Sequence, residues 1–268
     1  MKYERVLLIS IDALGRKYLP LFKGFFNTVY HNYRVTHTWT LPGHVAMLSG
    51  INMRELYHVF DTKRLDRWKD CVKRIPTIAT TFHSHGFRTR AIASGGYLSR
   101  YFGWGHDWDE WRTPEDGHRE WNGEKMMPRK REFLFLHTYY VHNWFQATDE
   151  LSRWFKKNGQ QFKVVPYDVS LMGEARREYE RRVRVLADRL SWIGSLPDDI
   201  LVIFTADHGE IFSIDGKHFH HGDMARNDPN VYKVPLLLRT KSKKRHYQNS
   251  QVYDLSLRAL IEREVFGT

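Results

Sequence analysis

Two carboxylates and one histidine stand directly after apolar segments of the chain. Asp12 ends the segment "RVLLISID", and Asp207 and His208 follow "ILVIFTA". A buried carboxylate is costly unless it is paired or bound to a cation. Together these side chains offer two oxygens and one imidazole nitrogen, a ligand set suited to zinc or manganese. Each could instead cap a following helix, and taken alone Asp12 is more readily explained as a cap.

Thr40 begins the segment "TLPGHVAMLSG", which looks helical and contains Pro42 and His44. A threonine hydroxyl in this position could act as the N-cap of that helix. A helix N-terminus also binds anions, so a cap and a place in a reactive site are compatible. A divalent cation would lower the pKa of a coordinated hydroxyl, which is what a threonine needs to become a nucleophile. The residues alone leave both interpretations open.

The elements that must position these residues predict an α/β fold. Short apolar runs predict strands, which lie at 5–12, 88–94, 131–136, 200–205 and 233–240. Helices are predicted within 75–87, over 174–196 and at 253–264, and the first of them ends at Gly86. The second of these has an apolar stripe, which consists of Tyr179, Val183, Leu186, Leu190 and Ile193. Such alternation is typical of a mainly parallel central sheet with helices on both faces.

In such a sheet, ligands bind beyond the carboxyl ends of the strands. Five candidate residues follow three of the predicted strands at this edge: Asp12, His137, His142, Asp207 and His208. We therefore expect a metal or substrate site there.

The composition is that of a globular protein, with 41% hydrophobic and 15% aromatic residues among 268. We expect one domain over residues 1–268. The single cysteine, Cys71, excludes an internal disulfide framework. The N-terminal apolar run at 6–11 is too short for a signal peptide core or a membrane span, which predicts a cytoplasmic protein.

The net charge of +11 favours anionic partners, which include phosphate esters, nucleic acid, anionic lipid and sulfated glycan. A basic surface that only confers solubility explains the charge equally well. The basic residues cluster at 125–131, 176–189 and 241–245, so charge alone identifies no groove.

Four motifs resemble the alkaline phosphatase superfamily, sulfatase-like branch. These are "VLLISIDALG", "TLPGHVAMLSG", "TADHGE" and "HHGD" with "KVPLLLR", in that branch's order and approximate spacing. The segments "IPTIATTFHSHGFRTRAIAS", "GHDWDEW", "FLFLHTYYVHNWF" and "SQVYDLSLRALI" extend the resemblance to nearly the whole chain. Val141 replaces the branch's usual proline before His142. The resemblance implies the alkaline phosphatase/sulfatase-like core, with a C-terminal subdomain that is minimal or absent.

This resemblance places Thr40 where the nucleophile sits. Sulfatases have a cysteine or serine there, oxidised to formylglycine, and an arginine where this chain has His44. Thr-x-Pro-x-His is similar instead to the nucleotide pyrophosphatase/phosphodiesterase branch, whose unmodified threonine attacks phosphorus. The resemblance thus implies a metal-dependent phosphodiesterase that forms a phosphothreonine on Thr40. Alternatives are a phosphomonoesterase, a sulfatase-like esterase, a phosphotransferase and a catalytically inactive anion-binding module.

The resemblance also implies the ligands of one divalent metal, zinc or manganese. Four residues match that site: Asp12, Thr40, Asp207 and His208. A second metal would take His142 and His221, but Thr138 stands where the branch has an aspartate, and His137 either replaces it or packs at the strand end. With one metal, His142 and His221 would contact the phosphate or protonate the leaving group.

The substrate implied is an anionic phosphate ester, with a nucleotide or a nucleic-acid end as candidates. The aromatic segment 97–111 could stack a base or pack on the core, and packing is the more frequent role. His218 and His220 flank His221 and could face the substrate. His37 and His44 flank Thr40 and could serve in packing alone.

Overall fold

The structure is a computed structural model that describes residues 1–56, 65–114, 126–158, 165–166, 169–212, 218–219 and 228–267. Its strands are β1 (Arg5–Ile11), β2 (Thr28–Arg34), β3 (Arg88–Ala93), β4 (Glu110–Arg112), β5 (Glu132–Thr138), β6 (Val165–Pro166), β7 (Ile200–Thr205), β8 (His218–Phe219), β9 (Leu236–Arg239) and β10 (His246–Tyr253).

The α-helices within these ranges are α1 (Leu19–Phe22), α2 (Thr40–Ser49), α3 (Met53–Leu56), α4 (Leu65–Val72), α5 (Ile78–Ser84), α6 (Asp149–Asn158), α7 (Val169–Arg189), α8 (Pro229–Tyr232) and α9 (Leu257–Phe266). Short 3-10 turns lie at Arg16–Tyr18, Lys23–Phe25, Gly96–Leu98, Arg100–Phe102, His142–Gln146, Ser191–Ser195 and Asp254–Ser256. None of the described helices has the length and apolar character that a bilayer crossing requires.

Eight of the described strands form one sheet in the order β10-β2-β9-β7-β1-β5-β3-β4. Among them β9 runs antiparallel to both its neighbours, β7 and β2, and the other pairs are parallel. A separate two-stranded antiparallel sheet joins β6 and β8. The predicted mainly parallel sheet is therefore confirmed.

Helices cover both faces of this sheet. Phe22 of α1 stacks on Phe204, with ring centroids 4.7 Å apart, and Phe204 pairs with Ile9 of β1. Phe82 of α5 stacks on Phe133 at 4.3 Å, and Phe133 pairs with residue 6 of β1. Residues 6 and 9 of a strand point to opposite faces, so α1 and α5 pack on opposite sides.

The three central strands end at one edge. The apolar runs of β1, β5 and β7 are buried almost throughout, as expected for parallel strands covered on both faces. Ser10 of β1 pairs with His137 of β5 and with Thr205 of β7. This register brings the residues that follow β1 and β7, Asp12 and Asp207, to the same edge as His137.

Five strands and several boundaries differ from the sequence-based expectation. The strands β2, β4, β6, β8 and β10 were not predicted, and β10 is exposed along nearly its whole length. The predicted strand at 233–240 shortens to β9, and the helix at 253–264 begins only at Leu257. The tryptophans of the aromatic segment are buried, which confirms core packing rather than base stacking for them: Trp104, Trp108 and Trp111.

Asp254 ties the segment that leads to Thr40 to the start of α9. Its carboxylate accepts hydrogen bonds from the Thr36 backbone N–H, from the Thr36 hydroxyl and from the Leu255 N–H. The side chain is fully buried. This burial raises the pKa of Asp254 to about 7, against the opposing effect of the donated hydrogen bonds.

The raised pKa of Asp254 makes the fold less stable as pH rises. The unfolded chain releases this proton near the ordinary value of 3.8, whereas the folded chain keeps it up to about 7. The free energy of unfolding should therefore fall between these two pH values, by up to about 1.4 kcal/mol per pH unit. Thermal melts of wild type and Asp254→Asn in chelator across this range should show the fall largely lost in the variant. Equal slopes for the two proteins would contradict this, and the exposed Asp188→Asn serves as the control.

Candidate functional site

Three fully buried side chains converge at the carboxyl edge of the sheet. His208 Nε2 lies 3.6 Å from Asp12 Oδ1 and 3.5 Å from Asp207 Oδ2. One ligand atom from each residue lies within 4.8 Å of the others. Ligands of a tetrahedral ion, at about 2.1 Å from it, lie roughly 3.4 Å apart. These three atoms are therefore spaced as ligands of one cation.

One carboxylate oxygen of Asp12 is hydrogen bonded to the protein, and the other faces the space between the three ligand atoms, which we call the candidate metal point. Its Oδ2 accepts hydrogen bonds from Thr40 Oγ1 at 3.0 Å and from His137 Nε2 at 3.3 Å. Its Oδ1 accepts none from the described residues. A buried carboxylate oxygen without a donor is costly, and a bound cation would remove that cost.

Asp207 divides its oxygens in the same way. Its Oδ1 accepts the backbone N–H groups of Ala13 at 3.2 Å and of His208 at 2.9 Å. Its Oδ2 accepts no hydrogen bond from the part of the chain that the structure describes. Burial, and then the charge of Asp12, raise the pKa of Asp207 above its ordinary value. The two buried carboxylates repel each other, and a cation between them would replace this repulsion with attraction of both to the cation.

The ring of His208 is oriented for metal binding. Its Nδ1 lies 2.8 Å from the Gly209 carbonyl, which can only accept, so Nδ1 carries the proton of the neutral ring. Nε2 then presents its lone pair to Asp12 and Asp207. Burial lowers the pKa of His208, but these two carboxylates outweigh it and raise the pKa above its ordinary value. The donor set and its two unpartnered oxygens fit a divalent cation such as zinc or manganese.

The helix-capping alternatives for Thr40 and Asp12 are wrong. Trp39 occupies the N-cap position of α2 and Thr40 is the first helical residue, with its hydroxyl directed at Asp12. Gly15 occupies the N-cap position of the turn that follows β1. Both side chains are therefore committed to each other rather than to helix ends.

His44 links the backbone of Thr40 to strand β1. Its Nδ1 donates to the Thr40 carbonyl at 2.8 Å, and its Nε2 accepts from Ser10 Oγ at 3.0 Å. Burial lowers the pKa of His44 to about 3, so the ring is neutral. Sequence reasoning left open whether His44 serves the site or only packs on the helix face. The signal that could have revealed more is its spacing of four residues from Thr40, which aligns the two on one helix face.

Two backbone features allow the close approach of α2 and β1 to Asp207. A Cβ on Gly43 would lie 3.2 Å from the Asp207 carbonyl oxygen and 3.3 Å from its Cβ, so glycine lets α2 pack tightly. Ala13 has a φ of 62°, a left-handed conformation that is rare for alanine. The hydroxyl of Tyr179 stabilises it by donating to the Ala13 carbonyl at 2.6 Å.

Tyr139 is a site residue that sequence reasoning missed. Its hydroxyl accepts from the Tyr97 N–H at 3.1 Å and lies beside the Thr40 side chain. Burial, and then the charges of Asp12 and Asp207, raise the pKa of Tyr139 well above its ordinary value. No metal-ligand or helix pattern marks a tyrosine in this place.

The other predicted site residues are not among the three converging ligands. His137 Nε2 faces Asp12 Oδ2, so this ring orients the carboxylate and lies outside the group of three converging atoms. His142 begins a 3-10 turn, with its ring centroid 6.3 Å from that of His208. His221 and its neighbour His220 lie outside the described residues, so the role of His221 stays a prediction.

A model of the sulfatase family matches residues 119–257, just over half of the chain. The chain belongs to the sulfatase family. Members of the surrounding alkaline phosphatase/sulfatase superfamily are metal-dependent enzymes that act on sulfate or phosphate esters. No curated protein matches the chain at the sequence level.

Solved structures share the fold of this sulfatase-family chain at low sequence identity. The zinc complex of the C-terminal periplasmic domain of EcEptC from Escherichia coli is 14% identical, with a TM-score of 0.68 over 98% of this chain and 83% of that one. The phosphonate monoester hydrolase SpPMH from Silicibacter pomeroyi is 14% identical, with a TM-score of 0.65 over 98% of this chain and 73% of that one. The lipoteichoic acid synthase LtaP from Listeria monocytogenes is 12% identical, with a TM-score of 0.56 over 98% of this chain and 72% of that one.

Metal binding should stabilise the protein and depend on Asp207. We expect purified wild type to hold about one zinc or manganese per chain, and free metal at about 100 times Kd to add roughly 2.7 kcal/mol of stability. Asp207→Asn should lower the affinity at least about tenfold, because it removes a charged ligand. Elemental analysis and thermal melts of chelated and reloaded protein measure both effects. Unchanged metal content in Asp207→Asn would refute the ligand assignment, and Asp188→Asn should behave as wild type.

Proposed function

We propose that the protein is a metal-dependent phosphodiesterase that forms a covalent phosphothreonine on Thr40. One observation carries this proposal, namely the sharing of Asp12 between the Thr40 hydroxyl and the candidate metal point. Asp12 therefore links the Thr40 hydroxyl to the residues that would hold the cation. Membership of the sulfatase family supports ester cleavage, and an unmodified threonine supports attack on phosphorus rather than sulfatase chemistry.

A cation held by Asp12, Asp207 and His208 supplies Lewis-acid chemistry, since it lowers the pKa of a nearby hydroxyl and offsets phosphate charge. The chain's own residues prepare Thr40. Asp12 Oδ2 accepts a hydrogen bond from the Thr40 hydroxyl. The Tyr139 hydroxyl lies beside Thr40 and would donate to Oγ1 once that oxygen loses its proton. Such a contact would stabilise the negative charge that attack requires.

The reaction then proceeds in two displacements. Thr40 Oγ1 forms a bond to phosphorus, and the bond from phosphorus to the leaving alcohol breaks as that alcohol gains a proton. Water next attacks the phosphothreonine and releases Thr40. His142 is positioned close to His208, where it could protonate the leaving group, and we propose the same for His221.

A second metal site is a weaker proposal. Thr138 stands where an aspartate ligand is expected, and its hydroxyl accepts the Tyr140 N–H at 3.0 Å. His137, the alternative ligand, donates to Asp12. Each of these side chains has a structural partner, so the described residues support one complete metal site.

A phosphotransferase is the second candidate function. The fold likeness to the lipoteichoic acid synthase LtaP favours testing it, because a transferase and a hydrolase differ only in whether an alcohol or water accepts the phosphoryl group. The substrate class we propose is an anionic phosphate ester such as a nucleotide or a nucleic-acid end.

Tyr139 should contribute to turnover through Thr40. We expect Tyr139→Phe to lower kcat about tenfold with little change in KM, because the Tyr139 hydroxyl lies beside Thr40 and would donate to Oγ1 only when that oxygen carries charge. Steady-state kinetics on the best ester measure this effect. Tyr101→Phe, a change at an exposed tyrosine, is the control. A rise in KM with unchanged kcat would show that Tyr139 acts in substrate binding instead.

The decisive experiment compares chromogenic esters on wild type, Thr40→Ala and Thr40→Ser. A phosphate monoester, a phosphate diester and a sulfate are each assayed with metal, with and without an added alcohol acceptor. We expect metal-dependent diester cleavage that falls at least about 1,000-fold in Thr40→Ala and partly survives in Thr40→Ser, which keeps a hydroxyl.

The other outcomes separate the alternatives. A monoester preference identifies a phosphatase, sulfate cleavage a sulfatase-like esterase, and product on the added alcohol a phosphotransferase. Acid quenching should trap phosphate on Thr40 in wild type, as detected by mass spectrometry. Metal binding without turnover of any ester would favour an anion-binding module, and full activity of Thr40→Ala would exclude the proposed nucleophile.

A further inference from the structure

A basic cleft lies beside the loops that carry the candidate metal ligands. It has a volume of about 390 Å³, and Arg16, Lys17, Lys233 and His31 are among the residues that line it. Glu210 also contributes to the wall. The volume falls in the range that accommodates small organic molecules, and it is larger than a single phosphate ion needs.

The three cations of this cleft are not neutralised by neighbouring carboxylates. Among the described residues, Arg16, Lys17 and Lys233 have no carboxylate oxygen within the 4.0 Å limit of an ion pair. Burial, and then the nearby Arg176, lower the pKa of Lys17, while the charge of Glu180 opposes this shift. Glu180 itself accepts hydrogen bonds from Tyr18 and Arg176.

Glu210 is the carboxylate among the described residues of the cleft wall. It is 3% exposed, and its Oε2 accepts the Trp144 indole N–H at 3.1 Å. Its Oε1 accepts the Ile211 backbone N–H at 3.3 Å. Its single negative charge faces the positive charges of Arg16, Lys17 and Lys233, so the described part of the cleft keeps an excess of positive charge that an anion would balance.

The cleft lies within reach of a substrate bound at the candidate metal point. Gly15, in its wall, follows Asp12 by three residues, which span at most about 11 Å of chain. Glu210 follows His208 by two residues, or at most about 7 Å. Gly15 packs closely against Asn230, another residue of the wall, since a Cβ on Gly15 would lie 3.3 Å from the Asn230 carbonyl oxygen.

We propose that this cleft binds a second anionic group, a phosphate or sulfate on the part of the substrate that is not cleaved. The substrate would thus carry two anionic groups, one at Thr40 and one between Arg16, Lys17 and Lys233. The assignment to a substrate rests on the proposed function, whereas the binding of an anion by these three cations does not.

The first test measures binding without catalysis. Pyrophosphate is titrated calorimetrically into chelated Thr40→Ala protein, in which the unneutralised Asp12 and Asp207 repel anions from the metal point. Adding Arg16→Gln and Lys233→Gln should weaken binding at least tenfold. Adding Lys156→Gln and Lys157→Gln, two exposed lysines of α6, makes the same change in charge and should alter it less than twofold. Equal binding in the two proteins overturns the proposal, and thermal melts verify that both are folded.

The second test uses two diesters with the same leaving group, one of which carries an additional phosphate. In the Arg16→Gln/Lys233→Gln enzyme, KM for the doubly anionic diester should rise at least tenfold with kcat unchanged, while the plain diester is unaffected. If free pyrophosphate instead accelerates cleavage of the plain diester in wild type, the cleft takes a separate anion and the substrate assignment is overturned. Loss of binding in a protein that cleaves no ester would support the anion cleft and overturn only the proposed reaction.

Discussion

The structure depends on two carboxylates that are fully buried next to each other at one edge of the sheet. Asp12 and Asp207 each direct one oxygen toward protein donors and the other toward His208. Two like charges in a buried site repel each other and are poorly solvated. The described part of the chain supplies donors for only half of their oxygens, so a cation in the remaining half would complete the arrangement.

Several local features become intelligible once the carboxylates are placed. The left-handed Ala13 directs its N–H at Asp207, and Gly43 lets α2 approach the same residue. His44 then couples α2 to β1, so that Thr40 meets Asp12. A strained backbone and buried charge at one place are typical of a site selected for chemistry rather than stability. The long apolar strands provide the stability that such a site requires.

The sequence predicts the parts of this protein whose physics is local. Continuous apolar runs identify β1, β5 and β7 and place Asp12, Asp207 and His208 at strand ends, because burial on both faces leaves a clear pattern. The strands β2 and β10 lack such a pattern, since His31, Asn32 and the exposed polar residues of β10 alternate with few apolar ones. The contacts of His44 with Ser10 and of Tyr139 with Tyr97 join distant segments, and no sequence pattern records them.

The antiparallel direction of β9 has a consequence for how the family can diversify. The strand β7 ends, and β9 begins, at the edge where the candidate ligands lie. The described residues 206–212 and 228–235 therefore lie on the side of the site, and they contribute Asp207, His208, Glu210 and Lys233. Insertions or deletions between β7 and β9 can change the surface beside the site while the strand register stays unchanged. The topology thus separates the evolution of specificity from the maintenance of the core.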